Sequence, residues 1–309
     1  MKLKAFLPLI AVFFFGFTQH TQAQYYFYNE DYYDDPVLYE AGGSLGIMNC
    51  LTDVGGNKGI GKNTLKDLNV GNTKFATSLY LNATYQMKLG VRLEFTYGTV
   101  GGYDSILAKD VPNTSGRYER NLSFRTHITE VTLIGEIYPT YLFRTFDSDK
   151  EPPRAAPYLM IGVGMFHFNP QAKDHTGQWV DLQPLHTEGE GFPEYPNHPT
   201  YALTQMNIPF GLGLRYEAAP KINIRAEILY RKLKTDYLDD VSTRYIDPTV
   251  FSKYLTGANL NEAIELNKRS GPTWQYAKPG DIRGNPNNND SYFTFNIKVG
   301  FILNRKRLD

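Results

Sequence analysis

The strongest constraint on this chain is its closing stretch, SYFTFNIKVGFILNRKRLD, where Phe293, Phe295, Ile297, Val299, Phe301 and Leu303 put an apolar side chain at every second position. Thr294, Asn296, Lys298 and Gly300 between them are small or polar, and Arg305, Lys306 and Arg307 follow. Successive side chains of a strand point to opposite faces, so the pattern describes one apolar ribbon backed by a mixed one. Such a ribbon needs a cover, which is either more protein or hydrocarbon.

The same period recurs in LGVRLEFTYGT (Leu89, Val91, Leu93, Phe95, Tyr97), in TQMNIPFGLGLRYE (Met206, Ile208, Phe210, Leu212, Leu214, Tyr216) and in KINIRAEILYRK (Ile222, Ile224, Ala226, Ile228, Tyr230). Weaker versions run through 41–48, 75–87, 128–138 and 158–168. The pattern predicts about eight strands of roughly 9 to 14 residues, long enough to cross a bilayer at a tilt. After residue 23 no run approaches the roughly 18 apolar residues of a membrane helix.

The opposite face arbitrates between a soluble sandwich and a membrane barrel. It carries Gly162, Gly164, Gly211 and Gly213 together with Arg92, Glu94, Glu130, Glu136, Arg215, Glu217, Arg225 and Glu227. A narrow barrel has room inside only for side chains, so it favours small residues and paired charges there. These eight charged residues are expected to form an internal ion-pair network, with Phe293, Phe295, Ile297, Val299 and Phe301 facing lipid. A secreted sandwich with a charged outer face is the alternative. The expected fold class is therefore all-β, an eight-stranded antiparallel transmembrane barrel with long extracellular loops.

Lys2 and Lys4 precede an apolar stretch over 5–17, and Thr21, Gln22 and Ala23 offer a small-x-small cleavage site. This reads as a signal peptide over 1–23, leaving 24–309 as the barrel domain: a periplasmic arm at 24–40, the barrel at 41–303 and a basic tail at 304–309. Cys50 is the single cysteine, so no intramolecular disulfide can form, and it reads as a small packed residue. With 32 basic and 32 acidic residues the composition argues against nucleic acid as a partner.

Tight connections at Lys88–Gly90 and Ala218–Lys221 alternate with long polar ones at 49–74, 104–125, 169–200 and 237–290. That asymmetry matches short periplasmic turns and long outer loops, with both termini periplasmic. The link at 140–156 is the exception, a longer periplasmic connection. Docking of a partner is expected there and on the Tyr- and acid-rich arm, at Tyr141, Phe143, Asp147, Asp149, Tyr32 and Tyr33. Arg305, Lys306 and Arg307 are expected to end the lipid-facing ribbon at the inner interface, with Tyr138, Tyr141, Phe143 and Tyr216 near headgroup level.

Several residues are also of types that can carry chemistry. Asp239 and Asp240, with His167, could serve a hydrolase, but Lys234, Asp236, Tyr237 and Arg244 around them also fit a solvated loop mouth. His127 has Thr129 beside it on its own face, without a nucleophile motif. His167, Asp174, His175, Asp181, His186, Glu188 and Glu190 lie on or near one link, but no spacing fixes a metal geometry. The glycines of DVGGNKGIGK lack the Gly-Lys-Ser/Thr ending of a phosphate loop and read as a loop with special backbone angles. No catalytic, cofactor or metal residue is assigned.

The order of EAGGSLGIMNCLTDVGGNKGIG, LGVRLEFTYGTVGGYDS, ITEVTLIGEIYP, PYLMIGVGMFHFNP and TDYLDDVSTRYID resembles the PorG-like outer-membrane barrels of Bacteroidota, associated with type IX secretion and gliding. The resemblance implies a non-enzymatic barrel in outer-membrane lipid that anchors or helps assemble a periplasmic ring built from a lipoprotein and a partner protein. It supplies no catalytic residues. The long final link, with an expected helix over 260–268, departs from the pattern. The other readings are a general structural or adhesion barrel and an outer-membrane hydrolase.

Overall fold

The computed structural model describes residues 35–57, 68–114, 116–142, 153–270 and 277–305. Eight long strands carry the fold: β1 (Val37–Leu51), β2 (Lys74–Tyr85), β3 (Leu89–Tyr103), β4 (Ser123–Ile137), β5 (Ala155–His167), β8 (Thr204–Ala219), β9 (Ile222–Leu233) and β10 (Ser291–Ile302). Two short strands, β6 (Gln171–Lys173) and β7 (Trp179–Asp181), form a hairpin in the link after β5. Each of the eight long strands pairs antiparallel with its neighbour, and β10 returns to β1 across Glu40 to Leu51, so the sheet closes and leaves no open edge. The hairpin attaches to β4 where Gln171 pairs with Arg125.

The alternating sequence dictates this wall. On β8 the outward positions are Met206, Ile208, Phe210, Leu212, Leu214 and Tyr216, all exposed on the protein's own surface. Ten residue steps span about 34 Å along a strand, or about 26 Å of height at a tilt of about 40°, which matches the roughly 25 Å apolar band of a membrane barrel. Leu45 is 66 % exposed and Leu79 67 %, which no water-facing surface would sustain around a whole barrel. Tyr39, Tyr85 and Tyr216 face outward at the end of the wall where β1 begins, β10 ends and the tight turns lie, where aromatic girdles sit.

The tight turns differ in chemistry. Gln86, Met87 and Lys88 join β2 to β3; Gln86 and Met87 have left-handed φ values of 47° and 58°, and the Lys88 amide donates to the Tyr85 carbonyl at 2.9 Å. This turn lies two residues earlier than the expected Lys88–Gly90. The Ala218–Lys221 connection sits where expected, between β8 and β9. β1 begins at Val37 rather than at 41, which takes Val37–Glu40 out of the expected arm and puts Glu40 inside the barrel.

The described parts of the long links are not simply solvated loops. A helix (Gly257–Asn267) stands where a helix over 260–268 is expected, and the 3-10 turns Gln183–Leu185 and Pro248–Lys253 pack against it. Leu182, Leu185, Phe192, Ile246, Val250, Phe251, Ala263 and Leu266 close into an apolar core of their own beyond the strand ends. The links thus build a roof over one mouth of the barrel. The signal peptide expected over 1–23 and the docking positions Tyr32, Tyr33, Phe143, Asp147 and Asp149 lie outside the described residues.

Candidate functional site: the charged lumen and its roof

Inward positions of all eight long strands meet in the lumen. Arg92 on β3 pairs with Glu94 at 3.1 Å, Glu136 at 3.0 Å and Glu227 at 2.5 Å. Lys298 on β10 bridges Glu94 and Glu227, the latter at 3.4 Å. Arg225 on β9 reaches Glu40 at 2.8 Å and Glu136 at 3.1 Å. Hydroxyls add further bonds to three of the carboxylates: Tyr80 donates to Glu40 at 2.5 Å, Tyr138 to Glu136 at 2.6 Å, and Tyr158 to Glu227. Nearer the roof, Arg231 holds Glu130 at 3.0 Å, while Asn207 and Tyr292 donate to the same carboxylate at 2.7 and 3.0 Å.

Every one of these ion-pair partners is buried, and an isolated charge there would cost several kcal/mol. Cations and carboxylates therefore have to balance within the lumen. Fully buried Tyr138, Tyr158, Tyr292, Phe124 and Phe166 occupy the rest of the cross-section. Small residues make the space: a Cβ on Gly300 would lie 2.3 Å from the Tyr80 hydroxyl and 2.2 Å from a Glu40 oxygen.

Of the eight charges expected inside, Arg92, Glu94, Glu136, Arg225 and Glu227 form one network, and Glu130 belongs to the Arg231 cluster. Arg215 lies apart, its guanidinium 4.6 Å from the centre of the Tyr138 ring. Glu217 sits at the turn end and pairs with Arg305 at 2.6 Å. Arg305 is thus buried against Glu217 and the Pro220 carbonyl rather than standing at an inner interface. Glu40, Lys298 and Arg231 were not singled out in the sequence, although all three share the inward parity of their strands.

Two further expectations are corrected. Tyr138 and Tyr141 are buried, not at headgroup level, because Tyr138 reaches in to Glu136 and Tyr141 donates to the Pro153 carbonyl at 2.8 Å. A buried Tyr141 side chain offers no docking surface. Tyr216 does face outward, as do Phe295, Ile297, Val299 and Phe301, with Phe293 half-buried beside them.

The roof is a second polar assembly. Asp104 accepts from Arg120 at 2.8 and 3.0 Å and from the backbone amides of Leu122 and Gly55, each at 3.0 Å. Gly55, in the described part of the stretch read as a phosphate-loop lookalike, has a φ of 92° and gives its amide to a carboxylate of its own chain. Arg283 pairs with Glu188 at 2.9 Å and donates to the Asp240 carbonyl, while Glu188 also takes the amides of Ser242 and Thr243. The Asp240 carboxylate accepts from Thr187 and Tyr201, each at 2.5 Å, and Asp239 accepts from the amides of Val54 and Val241 at 2.8 and 3.0 Å.

Asp239 and Asp240 therefore do not line a solvated mouth; both are buried structural acceptors. Burial, with Asp53 nearby, pushes the Asp239 carboxyl up to about 8. Burial and the carboxylates of Asp53 and Asp239 push Asp236 up to about 10, and Asp290 is raised well above the usual range by burial and the same neighbours. His167 stands on the outer wall with its ring nitrogen 3.0 Å from the Thr204 hydroxyl, so it is not brought to the buried aspartates. His127, also outward, contacts Thr99 at 3.0 Å, and His175 pairs with Glu265 at 2.8 Å. Among the described residues no group of three His, Cys, Asp or Glu side chains stands in metal-holding geometry. Cys50 is buried as a small packed residue.

A closed eight-stranded sheet, apolar outside and ion-paired inside, inverts the polarity of a water-soluble protein. The fold is that of an outer-membrane β-barrel. The sequence matches no protein-family model, and no curated protein matches it significantly. Among solved structures, the attachment invasion locus protein Ail of Yersinia pestis aligns over 86 % of this chain and 97 % of its own at 9 % identity, with a TM-score of 0.36. Neisserial surface protein A aligns over 86 % and 96 % at 8 % identity and a TM-score of 0.35. The outer-membrane protein OprG of Pseudomonas aeruginosa aligns over 86 % and 95 % at 10 % identity and a TM-score of 0.37.

Proposed function

We propose that this protein is a non-enzymatic outer-membrane barrel that uses the lipid-held wall as an anchor and the roof as a rigid surface platform, in the manner of a structural or adhesion barrel. One observation carries the reading: the links beyond the strands bury an apolar core and an ion-pair system of their own. Ordering a loop costs about 1–2 kcal/mol per residue in backbone entropy. A barrel that only held its place in lipid would gain nothing from fixing link segments as long as 234–270. The lumen, filled by paired charges and aromatic rings, makes passage through it a poor alternative.

Protease shaving of intact cells, combined with exchange of 182–201 and 235–290 for short linkers, tests this. Loss of surface attachment or surface integrity with the barrel still inserted supports the platform. An unchanged phenotype would refute it.

The ring-anchoring role in a type IX secretion system, implied by the resemblance, is a separate proposal that rests on segments 24–36 and 140–154. Support for it is the unusual length of the turn-end link after β4, whose base is tied by Tyr141 to Pro153. Deleting either segment and still recovering a periplasmic ring lipoprotein and its partner with the barrel at full yield would exclude it.

A further inference from the structure

In the lumen each buried carboxylate of the two ion-pair clusters meets a cation; in the roof this fails. Among the described roof residues the buried carboxylates are Asp104, Glu188, Glu190, Asp236, Asp239, Asp240 and Asp290, while the buried cations are Arg120 and Arg283. Both cations are committed, Arg120 to Asp104 at 2.8 Å and Arg283 to Glu188 at 2.9 Å. The Asp240 carboxylate is held by the hydroxyls of Thr187 and Tyr201.

Asp236 and Asp290 differ from these. Neither oxygen of Asp236 has a hydrogen-bond partner although the residue is only 6 % exposed, and Oδ1 of Asp290, 2 % exposed, has none either. The Asp290 amide donates to the Thr235 carbonyl at 2.9 Å, and its Oδ2 accepts from the Leu238 amide at 2.8 Å, so these contacts bracket Asp236. The hydroxyls of Tyr237 and Ser291, in the same two segments, are likewise buried without partners, and the Ser242 side chain adjoins Asp236. Buried polar atoms without partners are rare in folded chains, yet five of them fall on residues 236, 237, 290 and 291.

Asp53 and Asp239 lie close enough to raise both acids, but each is tied to backbone amides, Asp53 to Asn285 at 2.5 Å and Asp239 to Val54 and Val241. Cys50 stands near Asp239 and Asp290, but burial keeps its thiol protonated and it faces the Gly101 carbonyl, so it offers no soft ligand. What remains is two carboxylates with neutral oxygens, in a field of further negative charge. Oxygen donors of this kind suit a hard divalent cation that keeps part of its water.

We propose that Asp236 and Asp290 hold a hard divalent cation of the calcium class at the junction of roof and barrel. Residues 235–238 and 290–291 are the two ends of the link between β9 and β10, so the cation would staple the base of that link. The inference is independent of what the roof engages outside.

The full chain, folded into detergent micelles and stripped with EDTA, would be titrated with calcium chloride by isothermal calorimetry, and its links probed by limited proteolysis with mass mapping. The gel shift confirms the folded barrel first. Wild type should take up calcium saturably, one ion per chain, with protons released, because burial and the neighbouring acids hold both carboxyls protonated until a cation arrives. Calcium at about ten times its half-saturation concentration should slow cutting within 235–290 about tenfold, since only the unliganded link opens. Asp236→Asn/Asp290→Asn should lose both uptake and protection, whereas Glu194→Gln, at an exposed roof carboxylate, should keep both. Sodium chloride at matched ionic strength should not protect. Absence of saturable uptake by wild type overturns the site whether or not the double variant folds. Uptake retained by that variant, or protection equalled by sodium, overturns it as well.

Discussion

Arg92 and Glu227 meet at 2.5 Å from opposite sides of the barrel, since β3 and β9 have three strands between them in either direction around the sheet. The lumen is therefore bridged across its full width by a buried ion pair, and the wall is cross-braced as well as hydrogen-bonded.

Removing one end of that brace should be costly. Arg92→Met leaves Glu94, Glu136 and Glu227 facing one another without their shared cation, and breaking a buried pair costs about 3–5 kcal/mol. The urea midpoint of the detergent-folded barrel, followed by gel shift, should fall accordingly. The double variant Arg92→Met/Glu227→Gln should recover part of the loss, because fewer unpaired charges remain.

Crowding inside the lumen gives a second test. Gly300→Val would drive its side chain into Glu40 and Tyr80, and overpacking of this kind costs about 1–3 kcal/mol. The expected result is a lower unfolding midpoint that Tyr80→Phe relieves partially, because it removes the hydroxyl nearest the added carbon.

The roof should respond to pH in one direction. Asp239 and Asp236 keep their protons to about 8 and about 10 in the fold, whereas an exposed aspartate ionises near pH 4. The folded roof binds more protons than the unfolded one between those limits, so its stability is full below about pH 4 and falls as pH rises through about 8 to about 10. Limited proteolysis of the links at pH 6 and pH 9.5 should show faster cutting at the higher pH. Asp239→Asn should blunt the difference.

Roof and wall should also separate. Arg283→Met strips Glu188 and the Asp240 carbonyl of their cation, leaving a buried carboxylate without its charge partner. We expect protease cuts within 182–201 and 235–290 while the membrane-protected strands stay intact, read by mass mapping of the fragments. Loss of the gel shift as well would mean that the wall depends on its roof.

Much of the wall was legible in the chain because a strand enforces a period of two: once Leu89, Val91 and Leu93 face one way, Arg92 and Glu94 must face the other. Lys298 and Arg231 share that inward parity but were not singled out, and parity gives no way to tell that Lys298 would reach Glu94 or Arg231 Glu130. Those pairings depend on how the sheet closes, which brings together residues about 100 to 200 positions apart. Tyr138 and Tyr141 mislead for a related reason. An aromatic residue just past a strand end serves equally well at a headgroup or inside the mouth, and only the path of the following chain decides.

The roof was the least legible part. Links dense in Asp, Asn, Pro and Gly look solvated when read alone, since a buried carboxylate is affordable only where Arg283, Arg120 or a set of backbone amides arrives from a distant segment. The sequence by itself determined the strands, their two faces and which face must meet hydrocarbon, because alternation is a local property. Tertiary structure decided which charges pair across the lumen, where Arg305 and the tyrosines point and that the links cap the mouth, because those outcomes follow from three-dimensional closure between residues far apart in the chain.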